Sequence, residues 1–499
     1  MKIITYIFIA VLSLCAVSCN KWLDVKPSNQ IEAEKNFKTE KGYRNALIGC
    51  YIALNSADLY GGRLIASNIE SLAQHWIITQ TAQPADYYLS QFDYANDYAK
   101  SAIRAIYAAL YNVITQTNVI LNYLPETGDV INDQITRGLI EGEALAIRAF
   151  CHFDLLRLFG ECPTGSTIKV SLPYSETASV EIMPPYYDYN TFIAKIENDL
   201  VQAANLLKDT DPAMDYTLDD LNWINMPSAA NNRVDLESDF FGYRQFRFNY
   251  WAVKALLARF YLYTGQTAKA YTAATEMINA QTSSGETVVA LSGRSDIATG
   301  YCNLPSECII GLSNFRINTL FARTVGYLTS VTSSDYSVNL QMLADIFAGE
   351  NLASNNRYLQ IWNRQVVFGT ELRAVIKKYN TSANRIVYDM MTKVQVVPLI
   401  RMSEMYLIAM ETTSNLSEAN SLYKEYMEEH DVLVVSDLAS LDDVRTMVFN
   451  EYRRELYGEG QMFYTYKRHK SPNMLWRYSE VSESNYIIPL PDTEYNPNL

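Results

Sequence analysis

The sequence predicts a mainly α-helical fold, in which helix pairs form a scaffold carrying long irregular loops and minor β structure. Three observations point there. Apolar side chains recur at helical spacing over long stretches. Two of these stretches carry the small-residue pattern of tight helical hairpins. Between the helices run long segments with no clear period. The composition, 48% hydrophobic and 19% charged over 499 residues, is that of a globular chain rather than a disordered one.

The first element is a targeting segment. Met1-Lys2 is a short positive start, Ile3 to Leu14 is apolar apart from Thr5 and Ser13, and Ala16-Val17-Ser18 supplies small residues for cleavage. The apolar run is shorter than the roughly 20 residues needed to span a bilayer, so residues 1–18 read as a signal peptide. Cys19 follows directly, and this layout resembles a bacterial lipoprotein box. Acylation of Cys19 would tether the chain firmly, because each buried CH₂ contributes about 0.8 kcal/mol.

The helices follow. Thr39–Asn55 opens on a Thr39 cap and aligns Tyr43, Leu47, Cys50, Tyr51 and Leu54. Tyr98–Leu124 stops at Pro125, and Asp133–Phe159 stops at Gly160. Tyr189–Lys208, Phe246–Thr264, Thr267–Thr282, Ser403–Thr413, Ser417–Asp431 and Leu441–Gly458 repeat the pattern. In one hairpin Ala252, Ala255, Leu256, Arg259 and Leu262 lead through Gly265 to Ala270, Ala274 and Ile278. In the other, Met405–Met410 leads through Asn415 to Ala419. Both are similar to tetratricopeptide-type units, which stack helix pairs. A short strand is expected at Val394–Val397. The segments 60–97, 162–188, 210–245 and 283–395 read as loop-rich, and loops of that length are usually functional or disordered.

Charge and chemistry narrow the function. A net charge of −14 argues against non-specific binding to nucleic acid or anionic lipid. Of seven cysteines, Cys15 and Cys19 lie in the signal region; the others are Cys50, Cys151, Cys162, Cys302 and Cys308, with no CxxC pair to suggest a metal or redox site. Cys302 and Cys308 are candidates for a disulfide in an oxidising compartment. The four histidines have no metal-binding spacing, and His152 reads as a satisfied core residue. Glu451, Glu455 and Glu459 share one helix face. Glycoside hydrolysis needs two carboxyls facing each other across a cleft, so this row reads as a charge network with nearby Arg453, Arg454, Lys467 and Arg468, joined by Arg148 or Arg401. No catalytic residues, cofactor or metal are expected.

Several segments, read together, resemble the RagB/SusD family of nutrient-binding outer-membrane lipoproteins. They are Cys19-Asn20-Lys21-Trp22-Leu23-Asp24 with Pro27; Gly142 to Phe150 running to Pro163; Pro398 to Leu407; Arg453-Arg454-Glu455-Leu456-Tyr457-Gly458-Glu459-Gly460-Gln461; and Ile487 to Leu499. Cys151-His152 and Tyr464-Thr465-Tyr466 depart from the family's usual residues, and 210–243 is long for it. The resemblance implies a single SusD-like helical domain over 19–499, in which about four helix pairs form the scaffold and loops form the binding face. It also implies an outer-membrane, cell-surface location. The implied partner is a SusC-like TonB-dependent β-barrel transporter, with oligosaccharide or peptide as cargo.

Sugar recognition combines aromatic faces with amides and carboxylates. Three clusters meet that description: Trp76 with Tyr87 and Tyr88; Trp223 with Asn222 and Asn225; and Trp362 with Asn363. For each, the competing reading is an aromatic buried against the scaffold. A surface-anchored glycoside hydrolase, or other hydrolase, and a purely structural assembly protein remain the alternatives to a binding protein.

Overall fold

The computed structural model describes residues 35–126, 130–179, 182–222, 234–317, 321–324, 330–379 and 391–495. The signal peptide, Cys19 and Trp223 lie outside the described residues.

The helices form where capping and apolar spacing agree. α1 (Glu40–Leu54) starts at Thr39, whose Oγ1 accepts from the Gly42 amide at 3.2 Å. It buries Tyr43, Leu47, Cys50, Tyr51 and Leu54, the expected stripe. α2 is the short Pro84–Ser90, followed by α3 (Asp97–Tyr123), capped by Asn96. α4 (Gln134–Phe159) is capped by the Asp133 carboxylate, which accepts from Thr136 N at 2.7 Å. From Gly142 onward every residue of α4 is buried, and its charged Glu143, Arg148, Asp154 and Arg157 each sit in an ion pair. Gly160 ends α4 without a left-handed turn; a Cβ there would stand 2.6 Å from the Leu156 carbonyl oxygen. α5 (Tyr189–Lys208), α6 (Tyr250–Tyr263) and α7 (Thr267–Ile278) complete the first half.

The second half holds α8 (Met402–Thr412), α9 (Leu416–Glu428), α10 (Leu441–Glu455) and α11 (Met462–His469). Neighbours pack in order along the stack: α3 on α4, α4 on α5, α5 on α6, α6 on α7, α7 on α8, and α8 on both α9 and α10. This is a mainly α, tetratricopeptide-like scaffold. One apolar cluster runs through it from Phe37 to Ile488.

Local chemistry moved several boundaries. α6 starts at Tyr250 rather than Phe246, because the Asn249 side chain accepts from Ala252 N at 2.8 Å and Arg244–Phe246 forms a separate 3-10 turn. α7 ends at Ile278, where the chain turns back into a bridge between Gln281 and Thr287. α10 ends at Glu455, because Gly458 and Gly460 adopt φ of 76° and 73°.

The stretch 283–395 is far less irregular than its composition suggests. It carries β1 (Cys308–Ser313), β2 (Val338–Asn339), β3 (Trp362–Phe368) and β4 (Glu371–Ile376). The expected strand near Val394 becomes β5 (Val396–Arg401), antiparallel to β1. Pro398 is tolerated there because a two-stranded sheet has only edge strands. β2, β4 and β3 form an antiparallel sheet in that order. Against it packs a second apolar cluster that includes Trp76, Tyr336, Trp362 and Tyr457. Cys302 and Cys308 are not joined to each other; both thiols are buried. Among the described residues no helix is long and apolar enough to cross a membrane.

Candidate ligand-binding cleft

The expected carboxylate row is a charge hub. Arg401, at the end of β5, donates from Nη1 to Glu455 Oε1 at 2.7 Å and from Nη2 to Glu459 Oε1 at 2.8 Å. It also pairs with Glu307. Arg357 Nη1 reaches Glu451 Oε2 at 2.6 Å and Glu455 Oε2 at 3.1 Å. Arg454 bonds Glu451 Oε1 at 2.6 Å, and Lys378 pairs with Glu459. Burial would raise the Glu451 carboxyl, but Arg357 and Arg454 outweigh it and hold it at about 2. Glu307 goes the other way, up to about 7: burial raises it, Arg401 opposes, and Glu455 adds repulsion.

Of the expected partners, Arg401 and Arg454 join the hub. Arg148 instead forks onto Asp199 at 2.7 and 2.8 Å, and Arg468 onto Glu411 at 2.5 and 2.8 Å. Lys467 caps the end of α4, donating to the Gly160 carbonyl at 2.6 Å. Arg453 donates to the Tyr466 hydroxyl at 3.0 Å. His152 is buried with Nδ1 donating to the Arg148 carbonyl at 2.9 Å and Nε2 accepting from Ser175 N at 3.1 Å. Burial, reinforced by Arg148, keeps it neutral, well below the usual imidazole range.

One arm of the hub continues into the turn after α10, which supports an open cleft of about 330 Å³. That size falls in the range of small-ligand sites. The cleft is lined by Asp58, Arg63, Asn68, Gln83, Arg323 and Tyr336, among others. Loops remote in sequence build it, while helices and the small sheet hold those loops. Arg63 is set by Asp58 (Nε–Oδ1 2.8 Å) and by Asn68 Oδ1 at 2.6 Å. Asp86, in the first turn of α2, accepts from Asn68 Nδ2 at 2.6 Å, Ser71 Oγ at 3.0 Å and the Tyr336 hydroxyl at 2.7 Å. The Gln83 amide is satisfied when its oxygen accepts from Arg323 Nη2 at 3.1 Å and its nitrogen donates to the Ser333 carbonyl at 3.3 Å. The Arg323 guanidinium stands 4.7 Å from the Tyr336 ring centre. The result is a preset array of donors and acceptors beside aromatic rings.

The turn braces this cleft at three points. Gly460 N donates to Glu70 Oε1 at 2.7 Å, the Tyr457 hydroxyl donates to the His75 carbonyl, and Tyr379 OH donates to the Gly458 carbonyl at 2.6 Å. Tyr379 stacks on Phe321, a lining residue, with centroids 4.2 Å apart.

Trp76 and Trp362 belong to this brace. Each is 4% exposed and meets the Tyr457 ring edge-on, at 5.1 and 5.0 Å. Trp76 Nε1 also donates to the Ala66 carbonyl at 3.0 Å, behind the cleft wall. An indole so enclosed presents no face to a ligand, which corrects the contact role expected for both. Tyr87 and Tyr88 sit on α2, not in a loop, and are half-buried. Tyr88 lies parallel to Tyr98 at 6.4 Å, and Tyr98 is 57% exposed.

The cleft draws on the expected 60–97 region, while Arg63, Arg323 and Tyr336 were not among the expected contacts. Tyr336 is one of 37 tyrosines, and its spacing carries no signal. Three larger grooves, of about 630, 570 and 480 Å³, lie elsewhere among the described residues. Charged side chains on their walls pair with each other, as Arg468 does with Glu411 and Lys254 with Glu276.

Comparison with known proteins matches this architecture. Residues 21–217 fit a family model described as starch-binding and associating with the outer membrane, and residues 364–496 fit the SusD family model. The SusD-like protein P38 of Formosa agariphila is 28% identical over 182 residues, 36% of this chain and 33% of that relative's length. A SusD superfamily crystal structure from Bacteroides thetaiotaomicron superposes with a TM-score of 0.69 at 20% identity, covering 92% of this chain and 98% of that one. A laminarin-binding SusD-like protein gives 0.64 at 18% identity, covering 92% and 97%. With SusD-type family models matching a stretch in each half of the chain, the protein belongs to the SusD/RagB family.

Proposed function

We propose that this protein binds oligosaccharide without altering it, at the cell surface, and delivers it to a SusC-like TonB-dependent transporter. The cleft carries this reading. It offers guanidinium, amide and carboxylate groups already fixed by protein partners, next to Phe321 and Tyr336. Such preset groups hydrogen-bond sugar hydroxyls with little ordering cost. Tyr87 and Tyr88 of α2 and Tyr98 at the start of α3 extend the surface and suit stacking on sugar rings. Trp223 remains a candidate contact. Binding rather than hydrolysis is supported by the commitment of the cleft's carboxylates: Asp58 is paired with Arg63, and Asp86 is enclosed by three donors. Solved relatives point the same way, one being a carbohydrate-binding SusD-like protein of Bacteroides vulgatus.

The test is calorimetric titration with neutral glucans, host-type glycans and peptides, with product analysis of each mixture. Arg63→Ala and Arg323→Ala are expected to weaken binding at least tenfold, about 1.4 kcal/mol. Tyr88→Ala is expected to weaken it about fivefold with unchanged thermal stability. Full affinity in both arginine variants would place the ligand elsewhere, and accumulation of shortened glycan would make the protein a hydrolase.

A further inference from the structure

Five scaffold helices meet around a small cavity of about 30 Å³. Its wall includes Arg157 of α4, Arg259 and Tyr263 of α6, Glu404 of α8, Tyr452 of α10 and Tyr464 of α11. Four polar atoms of this wall have no protein hydrogen-bond partner among the described residues: Arg157 Nε and the hydroxyls of Tyr263, Tyr452 and Tyr464. Their residues are 2%, 4%, 3% and 4% exposed. The Arg157 guanidinium lies over the Tyr464 ring, 3.9 Å from its centre. Buried polar atoms in native proteins are almost always paired, and one unpaired group already needs a reason. Four around one cavity point to an occupant.

We propose that the cavity binds a single water molecule that ties the three phenols to Arg157. Size, valence and charge agree on this. A water needs roughly 10–15 Å³ of such space and two to four polar partners, and both conditions are met. It accepts from Arg157 Nε and one phenol, and donates to the other two phenol oxygens. An anion would also suit four donors, but every guanidinium of the wall already has its carboxylate. Arg157 pairs with Asp154, Arg259 Nε bonds Glu404 Oε1 at 2.7 Å, and Arg468 bonds Glu411 Oε1 at 2.5 Å. With no surplus positive charge, burying an anion costs far more than burying a water. Burial also pushes the three phenols upward, so they stay protonated. The water is then a shared crosslink among α4, α6, α10 and α11.

Tyr452→Phe and Tyr464→Phe test this by the sign of their effect. If each hydroxyl bonds a water, each variant lowers the thermal midpoint of the purified protein, by about 1–3 °C. If the hydroxyls are orphaned, removal deletes an unpaired buried group and the midpoint stays or rises, which overturns the proposal. A high-resolution crystal structure is expected to show one water within hydrogen-bond reach of all four atoms. A bromide-soaked crystal with an anomalous peak in the cavity would assign it to a halide instead.

Discussion

At the scale of single residues, the hub around Arg401 separates two kinds of carboxylate. Glu451 and Glu455 are held ionised by Arg357 and Arg401 against the opposing effect of burial, so their folded-state values lie below the unfolded ones. Their stabilisation is present above the usual carboxylate range and is lost as pH falls toward about 2. Glu307 has the opposite sign: its value rises to about 7, so the folded state holds its proton longer. That contribution is complete below the unfolded carboxylate range and disappears as pH rises through about 7. Urea midpoints for Glu307→Gln, compared with the parent from pH 4.5 to 7.5, are expected to show a flatter pH profile. A parallel pair of curves would show that Glu307 titrates normally. The same scale explains why Trp76 and Trp362 misled. Tryptophan flanked by amides in a polar stretch reads as a sugar platform, yet burial against Tyr457 is a matter of distant neighbours, not of adjacent residues.

At the scale of elements, the turn Tyr457–Gly460 joins the scaffold to the cleft. Its glycines are needed for different reasons. At Gly458 the φ of 76° is the whole difficulty, because an added Cβ would only touch Ile376 Cδ1 at 3.6 Å. At Gly460 the φ of 73° coincides with a Cβ position 2.2 Å from the Leu64 carbonyl oxygen. Gly458→Ala is therefore expected to cost about 1–2 kcal/mol, the left-handed penalty alone. Gly460→Ala is expected to cost more than about 3 kcal/mol, in the range of severe core disruptions. Chemical denaturation of the two variants checks the ratio; equal losses would mean that the turn does not press on the 64–68 segment. Helix bounds tell a related story. Caps such as Thr39, Asp133 and Asn249 fix the starts of α1, α4 and α6 by short-range hydrogen bonds. Ends such as that of α10 depend on what the following turn must reach.

At the scale of the whole molecule, stacked helix pairs form the scaffold and loops remote in sequence build the candidate cleft, a division that lets a site vary without refolding the scaffold. The proposed anchor is independent of both. Cys19→Ala is expected to move the protein from the membrane fraction to the soluble fraction and to abolish palmitate labelling, while glycan affinity of the purified protein stays unchanged. Label retained by that variant would place the anchor on another residue.

The helical class, most helix starts, the family and the structural nature of the Glu451–Glu459 row were legible along the chain. Each of these rests on local spacing, capping or motif order, which a linear chain displays directly. Folding in three dimensions set which loop side chains line one cleft, which tryptophans are buried, and the pairing of 362–376 as a hairpin in a sheet. Those outcomes depend on contacts between segments hundreds of residues apart, such as Asp86 with Tyr336 and Glu70 with Gly460. Burial is set by such neighbours, and no periodicity along the chain encodes them.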